Sequence, residues 1–208
     1  MRTEPTPSGP SVFIVDDDEK VRNCLSELFS SVKIPFHLFS SGRDFIKTYQ
    51  KDQPGCIIVE MRLPGMSGFD LQQEMMARAF DIPVIFLTDH GDVDTSVRAM
   101  KAGAHDFIQK PFNEQLLLEA VEKAIARSIE NSKTNAKYLE TQKRLSLLSK
   151  REREVLDLIV VGEPNKKMAE KLGLSIKTIE FHRANIMKKV KAKSLVQLII
   201  KTLLMERY

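Results

Sequence analysis

Four short apolar runs in this chain end on residues that can do polar chemistry. VFIV leads into Asp16, Asp17 and Asp18, CIIV into Glu60, PVIFL into Thr88, and DFIQ into Lys110 and Pro111. Brought together, these carboxylates, a hydroxyl and an ammonium suit a hard divalent cation such as Mg2+ and a phosphoryl group. The cation prefers carboxylate oxygens, and the ammonium neutralises phosphoryl oxygens that the cation leaves uncovered. A lone aspartate at such a place is usually a solvated strand end, but four compatible run ends argue against coincidence.

The elements that would have to gather them are legible. Apolar runs at 12–15, 36–39, 56–59, 83–87 and 106–109 alternate with helical patterns at about 19–32, 42–50, 67–79, 92–102 and 113–127. Five strand-helix repeats predict an α/β unit with a parallel, doubly wound sheet. Ligands of such sheets bind beyond the carboxyl ends of the strands, where these residues would stand. Residues 128–146 contain no Pro or Gly and little apolar periodicity, so they read as a polar linker with helical propensity. An all-α pattern follows. Ser149 with Glu152 and Ser194 with Gln197 fit capping boxes, and Gly173 fits a helix stop before Ser175.

Charge divides along the same line. Residues 147–208 carry 14 Lys and Arg against 7 Asp and Glu, whereas the first 146 carry 18 against 21. A basic part joined to an acidic part suggests a nucleic-acid-binding module attached to something else. No apolar run reaches the ~18–20 residues that cross a bilayer, and the opening MRTEPTPSGP lacks the apolar core of a signal peptide. The expectation is a cytoplasmic protein with no membrane partner. Cys24 and Cys56 lack metal-ligand spacing and are expected as buried free thiols. His90 and His105 likewise have no partner in ligand spacing, and Met61, Met66, Met75 and Met76 read as core or loop packing.

The stretches VDDD, MRLPGMSG, PVIFLTDHGD and AMKAGAHDFIQKPF, followed by LSKREREVLDLI and NKKMAEKLGLSIKTIEFHRANIMKKV, resemble a two-component response regulator of the NarL/FixJ family, FixJ branch. The resemblance implies an N-terminal tail at 1–10, a (βα)5 receiver domain at 11–127, a linker at 128–146, and a four-helix LuxR-type helix-turn-helix domain at 147–208. It also implies a sensor histidine kinase that phosphorylates a receiver aspartate, a homodimer on promoter DNA, and RNA polymerase as a partner. By the same resemblance the protein is a transcriptional regulator and not an enzyme. A Mg-dependent phosphohydrolase would share the acidic pocket, but the chain has no second nucleophile or substrate-sized insertion.

Carried over residue by residue, the resemblance makes Asp16 and Asp17 the acidic pair that holds Mg2+, with Arg62 offering its backbone carbonyl. Thr88 becomes the switch hydroxyl, Phe107 the aromatic that rotates with it, and Lys110 the ammonium on phosphoryl oxygens, with a cis Lys110–Pro111 bond. Glu60 falls on the phospho-acceptor position, where the family has Asp. One extra methylene displaces the carboxylate by roughly 1.3 Å. Misplacement by about 1 Å can cost on the order of 100-fold in rate. Asp89, where the family usually has a small residue, is a second departure and would crowd Asp16, Asp17 and Glu60 around one lysine, so that one carboxyl should have a raised pKa.

Three roles are open to Glu60 on this reading. It could hold Thr88, Phe107 and Lys110 as a phosphoryl group would, making the regulator constitutively active. It could be a plain salt-bridge partner of Lys110, leaving a phosphorylation-independent receiver for dimerisation or partner binding. Residual phosphorylation is the third. Dimerisation through about residues 92–108, near Met100, Ala104 and Phe107, is implied by the resemblance.

In the basic part, Ile179, Ile186 and Val190 are spaced to bury one stripe of a helix, turning Lys177, Glu180, Phe181, Ala184 and Lys188 outward. A helix-turn-helix places this second helix in the major groove. Glu180, Phe181 and Ala184 are expected near base edges, because a carboxylate accepts from cytosine and apolar groups meet the thymine methyl. Lys166, Lys167, Ser175, Lys177, Thr178, Arg183 and Lys188 are expected on phosphates. For His182, core packing and one phosphate contact both remain open.

Overall fold

A computed structural model describes residues 9–89 and 91–205. Most of the expected N-terminal tail, His90 and the last three residues lie outside the described residues. The chain divides into two compact units that part between Lys133 and Thr134.

The first unit alternates strands and helices: β1 (Ser11–Val15), α1 (Glu19–Ser31), β2 (Phe36–Phe39), α2 (Gly42–Thr48), β3 (Gly55–Val59), α3 (Gly68–Ala77), β4 (Val84–Thr88), α4 (Val93–Lys101) and β5 (Asp106–Gln109). The last helix, α5 (Glu114–Ser146), begins here and runs unbroken through 128–146. All strand pairs are parallel, in the order β2-β1-β3-β4-β5. β1, β3 and β4 are buried along their whole length, because helices cover both faces. Phe13, Val15, Ile57, Val59 and Phe86 pack on one face with Phe45, Leu71, Met75 and Ala99, while Ile14, Ile58, Ile85 and Leu87 pack on the other with Leu25, Phe29, Leu117 and Val121.

Two of the expected core residues are placed otherwise. Cys56 is buried, but Cys24 is exposed: α1 turns Leu25, Leu28 and Phe29 to the sheet, and Cys24 falls off that stripe. Met61 and Met75 are buried and Met66 is half-buried. Met76, about 100° round α3 from Met75, is 66% exposed.

In the second unit, α6 (Lys150–Val160), α7 (Asn165–Leu172), α8 (Ile176–Val190) and α9 (Leu195–Leu203) enclose a core of Val155, Leu156, Ile159, Met168, Ile179, Ile186, Val190 and Leu198, joined by Leu145 and Leu148. Both halves of the Ser149/Glu152 capping box are present, and Gly173 ends α7 at φ 64°. At α9 only half the expected box forms. The Ser194 side chain accepts from the Gln197 N–H, but the Gln197 side chain reaches one residue further back, to the Lys193 N–H at 2.6 Å. Ser67 and Asp70 close a full box on α3, where no apolar run follows to mark it in the sequence.

Candidate phosphoryl pocket and DNA-reading helix

Strand register assembles the pocket. Val15 lies beside Val59, and the Glu60 N–H donates to the Val15 carbonyl at 2.9 Å, which sets Asp16 and Glu60 side by side beyond β1 and β3. Strand order reverses between these two strands, the place where open α/β sheets bind ligands. Thr88 pairs with Gln109, and the Lys110 N–H donates to the Thr88 carbonyl at 2.8 Å. The Lys110–Pro111 bond is cis. Gly68 lets the start of α3 approach the loop after β3, since a Cβ there would stand 2.7 Å from the Glu60 carbonyl.

The Lys110 ammonium donates to Asp16 Oδ2 at 2.8 Å and to Glu60 Oε2 at 2.9 Å. The Thr88 hydroxyl donates to Glu60 Oε1 at 2.5 Å, and the Arg62 N–H donates to the same oxygen at 3.1 Å. Asp16 Oδ1 accepts from the Asp18 N–H at 2.9 Å. Asp16, Glu60 and Thr88 are all buried. Asp89 reaches within 3.8 Å of Lys110 from a side chain that is 67% exposed, so it stands at the pocket mouth. Asp17 is exposed and forms none of the ion pairs found among the described residues. Phe107 is half-buried and packs on the core, 6.4 Å from Phe86 between ring centres.

Protonation follows from this wiring. Burial pushes the Glu60 carboxyl up, but the Thr88 hydroxyl, Lys110 and the Arg62 N–H outweigh it and hold the group below its usual range. For Asp16 burial wins over Lys110 and the Asp18 N–H, and its pKa is raised. Burial favours neutral Lys110, yet its bonds to Asp16 and Glu60 prevail and raise its pKa. Lys110 and Glu60 therefore stay charged, and Asp16 is the carboxyl that resists ionisation.

An incompletely compensated buried carboxylate beside a second acid fits a hard cation. Asp16, Asp17 and the Arg62 carbonyl would hold Mg2+, which supplies charge neutralisation for phosphoryl oxygens when bound. The sequence offered no signal for the Arg62 and Asp18 backbone donors, since every residue but proline carries an N–H.

In the second unit, α7 and α8 are joined by the turn at Gly173, Leu174 and Ser175. Ile179, Ile186 and Val190 are fully buried. Lys177, Glu180, Phe181, Ala184 and Lys188 are exposed, as are Lys166 and Lys167 on α7, while Arg183 and His182 are half-exposed. Phe181 keeps 62% of its surface exposed, with its ring edge against His182 at 6.0 Å between ring centres. Ser175 caps α8 by accepting from the Thr178 N–H, and the two hydroxyls share a hydrogen bond of 2.7 Å.

A five-stranded parallel α/β unit with an acidic pocket at its switch point, followed by a helix-turn-helix, defines a signal-receiving domain coupled to DNA binding. Residues 12–122 match the response regulator receiver domain family, and residues 146–202 match the bacterial regulatory proteins of the luxR family. The transcriptional regulatory protein FixJ of Azorhizobium caulinodans is 40% identical over 198 residues, 95% of this chain and 94% of its own length. Nodulation protein W of Bradyrhizobium diazoefficiens is 40% identical over 90% of this chain and 83% of its own. The solved structure of the response regulator StyR matches with a TM-score of 0.84 at 39% identity, covering 96% of this chain and all of that one. The chain belongs to the NarL/FixJ family of response regulators, with a receiver and a LuxR-type DNA-binding domain. No helix among the described residues is long and apolar enough to cross a membrane.

Proposed function

We propose that this transcriptional regulator is switched on without phosphoryl transfer, its receiver held in the active arrangement by Glu60. The observation that carries this reading is that one carboxylate takes the Thr88 hydroxyl on one oxygen and the Lys110 ammonium on the other. A plain salt-bridge partner needs only the lysine. Drawing in the switch hydroxyl as well is what a phosphoryl group at this place would do, and the inward packing of Phe107 agrees with it.

On this reading 11–127 is the receiver, 128–146 the helical linker and 147–208 the output domain. Glu60 stands at the phospho-acceptor position, and a sensor histidine kinase, the general partner of the family, is dispensable. Asp16, Asp17 and the Arg62 carbonyl would hold Mg2+, which would neutralise part of the pocket's negative charge, while the Glu60 bonds to Thr88 and Lys110 form among protein groups alone. The receiver dimerises through the α4 side, where Val93, Val97 and Met100 expose apolar surface; Ala104 is buried and supports that face from below. The dimer then sets α8 of each copy in the major groove, with Glu180, Phe181 and Ala184 on base edges. Lys166, Lys167, Ser175, Lys177, Thr178, Arg183 and Lys188 lie on phosphates, and the bound dimer engages RNA polymerase.

The test is Glu60→Gln, which keeps the shape and removes the charge. Its affinity for a DNA site selected from a random pool by the unaltered protein should fall about tenfold, the scale of losing one charged hydrogen-bond set. Unchanged affinity and unchanged dimerisation would leave Glu60 a bystander.

A further inference from the structure

Three lysines of the output unit are engaged within it: Lys171 pairs with Glu163 on the α7 side, and the other two hold the end of α8. Lys189, in the last turn of α8, donates to Glu152 Oε2 at 2.6 Å and to the Leu147 carbonyl at 3.3 Å. Lys201, on α9, donates to the Val190 and Lys191 carbonyls at 3.2 Å each, just where α8 ends with Lys191 in the left-handed region at φ 50°. The terminal carbonyls that a helix leaves unpaired are thereby met by an ammonium, which also suits the negative end of the helix dipole. Glu152 is 4% exposed and accepts from the Ser149 N–H at 2.7 Å as well. A buried carboxylate left without its counter-ion is heavily penalised, so Lys189 is anchored rather than free to follow a phosphate.

The apolar stripe of Ile179, Ile186 and Val190 fixes which face of α8 turns inward, but apolar contact is non-directional and sets the pose less sharply than hydrogen bonds do. Directional bonds at the far end of the helix supply what the stripe lacks.

We propose that Glu152, Lys189 and Lys201 are positioning residues for DNA reading: they clamp the C-terminal end of α8 and set its pose in the groove, and neither lysine touches DNA. This rests on α8 being the helix that reads bases. It separates Lys189 and Lys201, which hold the reader, from Lys166, Lys167 and Lys188, which meet phosphates.

Glu152→Gln is the decisive variant, because glutamine also serves at the third position of a capping box and leaves the start of α6 intact. If Glu152 matters only as a charge, removing an acid from a DNA-binding unit tightens binding to every sequence. The clamp requires the opposite sign for the selected site: affinity falls about tenfold, the worth of one misplaced base contact. Random-sequence DNA is bound as well as before or better, so the specificity ratio drops. Lys201→Met should lower the same ratio while leaving the slope of log affinity against log salt unchanged, and Lys189→Arg should restore what Lys189→Met loses.

Circular dichroism melts of each full-length variant establish that it is folded at the assay temperature. A folded Glu152→Gln protein with an unchanged ratio overturns the proposal. So does a Lys189→Met or Lys201→Met slope that drops by about 0.9, the signature of a lost phosphate contact. Glu180→Ala and Phe181→Ala run alongside: if neither alters base preference, α8 is not the reader and the clamp falls with that reading, whereas altered preference with an intact ratio in Glu152→Gln sinks the clamp alone.

Discussion

The Thr88 hydroxyl donates to the Glu60 carboxylate at 2.5 Å across 28 residues of sequence, from the last residue of β4 to the residue just after β3. Both groups are buried, so the bond forms where water does not compete for either partner. Thr88→Val keeps the shape and removes the donor. It should cost about 2 kcal/mol in urea unfolding of the receiver, within the range of hydrogen bonds to charged groups, and should weaken DNA binding in the same direction as Glu60→Gln.

Lys110 is the sole ammonium paired with Asp16, Glu60 and Asp89 among the described residues. Lys110→Met strands two buried carboxylates and should destabilise by about 3–5 kcal/mol. Adding Glu60→Gln to that variant should recover part of the loss, and the non-additivity in a double-mutant cycle measures the pair directly.

Stability against pH should show two opposed contributions. Asp16 has a raised folded pKa, so folding favours its protonated form, and its ionised form costs stability at neutral pH. Asp16→Asn should therefore melt higher than the unaltered protein near pH 7, with the gain vanishing as pH falls through the raised value. Glu60 has a depressed folded pKa, so its contribution is present above the ordinary value of 4.5 and lost as pH falls toward the folded one. Glu60→Gln should accordingly melt lower at neutral pH and converge with the unaltered protein in acid.

DNA contacts divide by their salt response. Lys166→Met, Lys167→Met and Lys188→Met should each weaken selected and random DNA alike and reduce the salt slope by about 0.9. Phe181→Ala should instead leave the slope unchanged and relax base preference at one position, measured by competition among single-base variants of the selected site.

The architecture was legible because its determinants are local. β1, β3 and β4 are buried on both faces and so read as near-continuous apolar runs, and the acidic, hydroxyl and ammonium residues follow them directly in sequence. The helix α5 was harder to see beyond residue 127: it continues through a polar stretch whose only signal is the lack of Pro and Gly. Cys24 and Met76 were misplaced because adjacent helical residues point about 100° apart, and a one-residue error in phase moves a side chain from core to surface. In the pocket, residue types could be read but not their wiring. That Glu60 takes Thr88 and Lys110 on separate oxygens while Asp89 stays at the mouth depends on strand register, which sequence patterns fix only to within a residue or so.

Restoring the family's acceptor should restore its chemistry. Glu60→Asp, incubated with acetyl phosphate and Mg2+, should gain one phosphoryl group by intact mass, while the unaltered protein gains none. Failure of both would implicate Asp89 at the pocket mouth, and Glu60→Asp combined with Asp89→Ala would then accept the group.

Sedimentation velocity shows whether Glu60 by itself keeps the receiver on. The unaltered protein, with and without acetyl phosphate and Mg2+, should show the same dimer fraction, and Glu60→Gln should shift toward monomer at equal concentration. A monomeric unaltered protein that dimerises only when the phosphoryl donor is added, or a Glu60→Gln variant with an undiminished dimer, would contradict it.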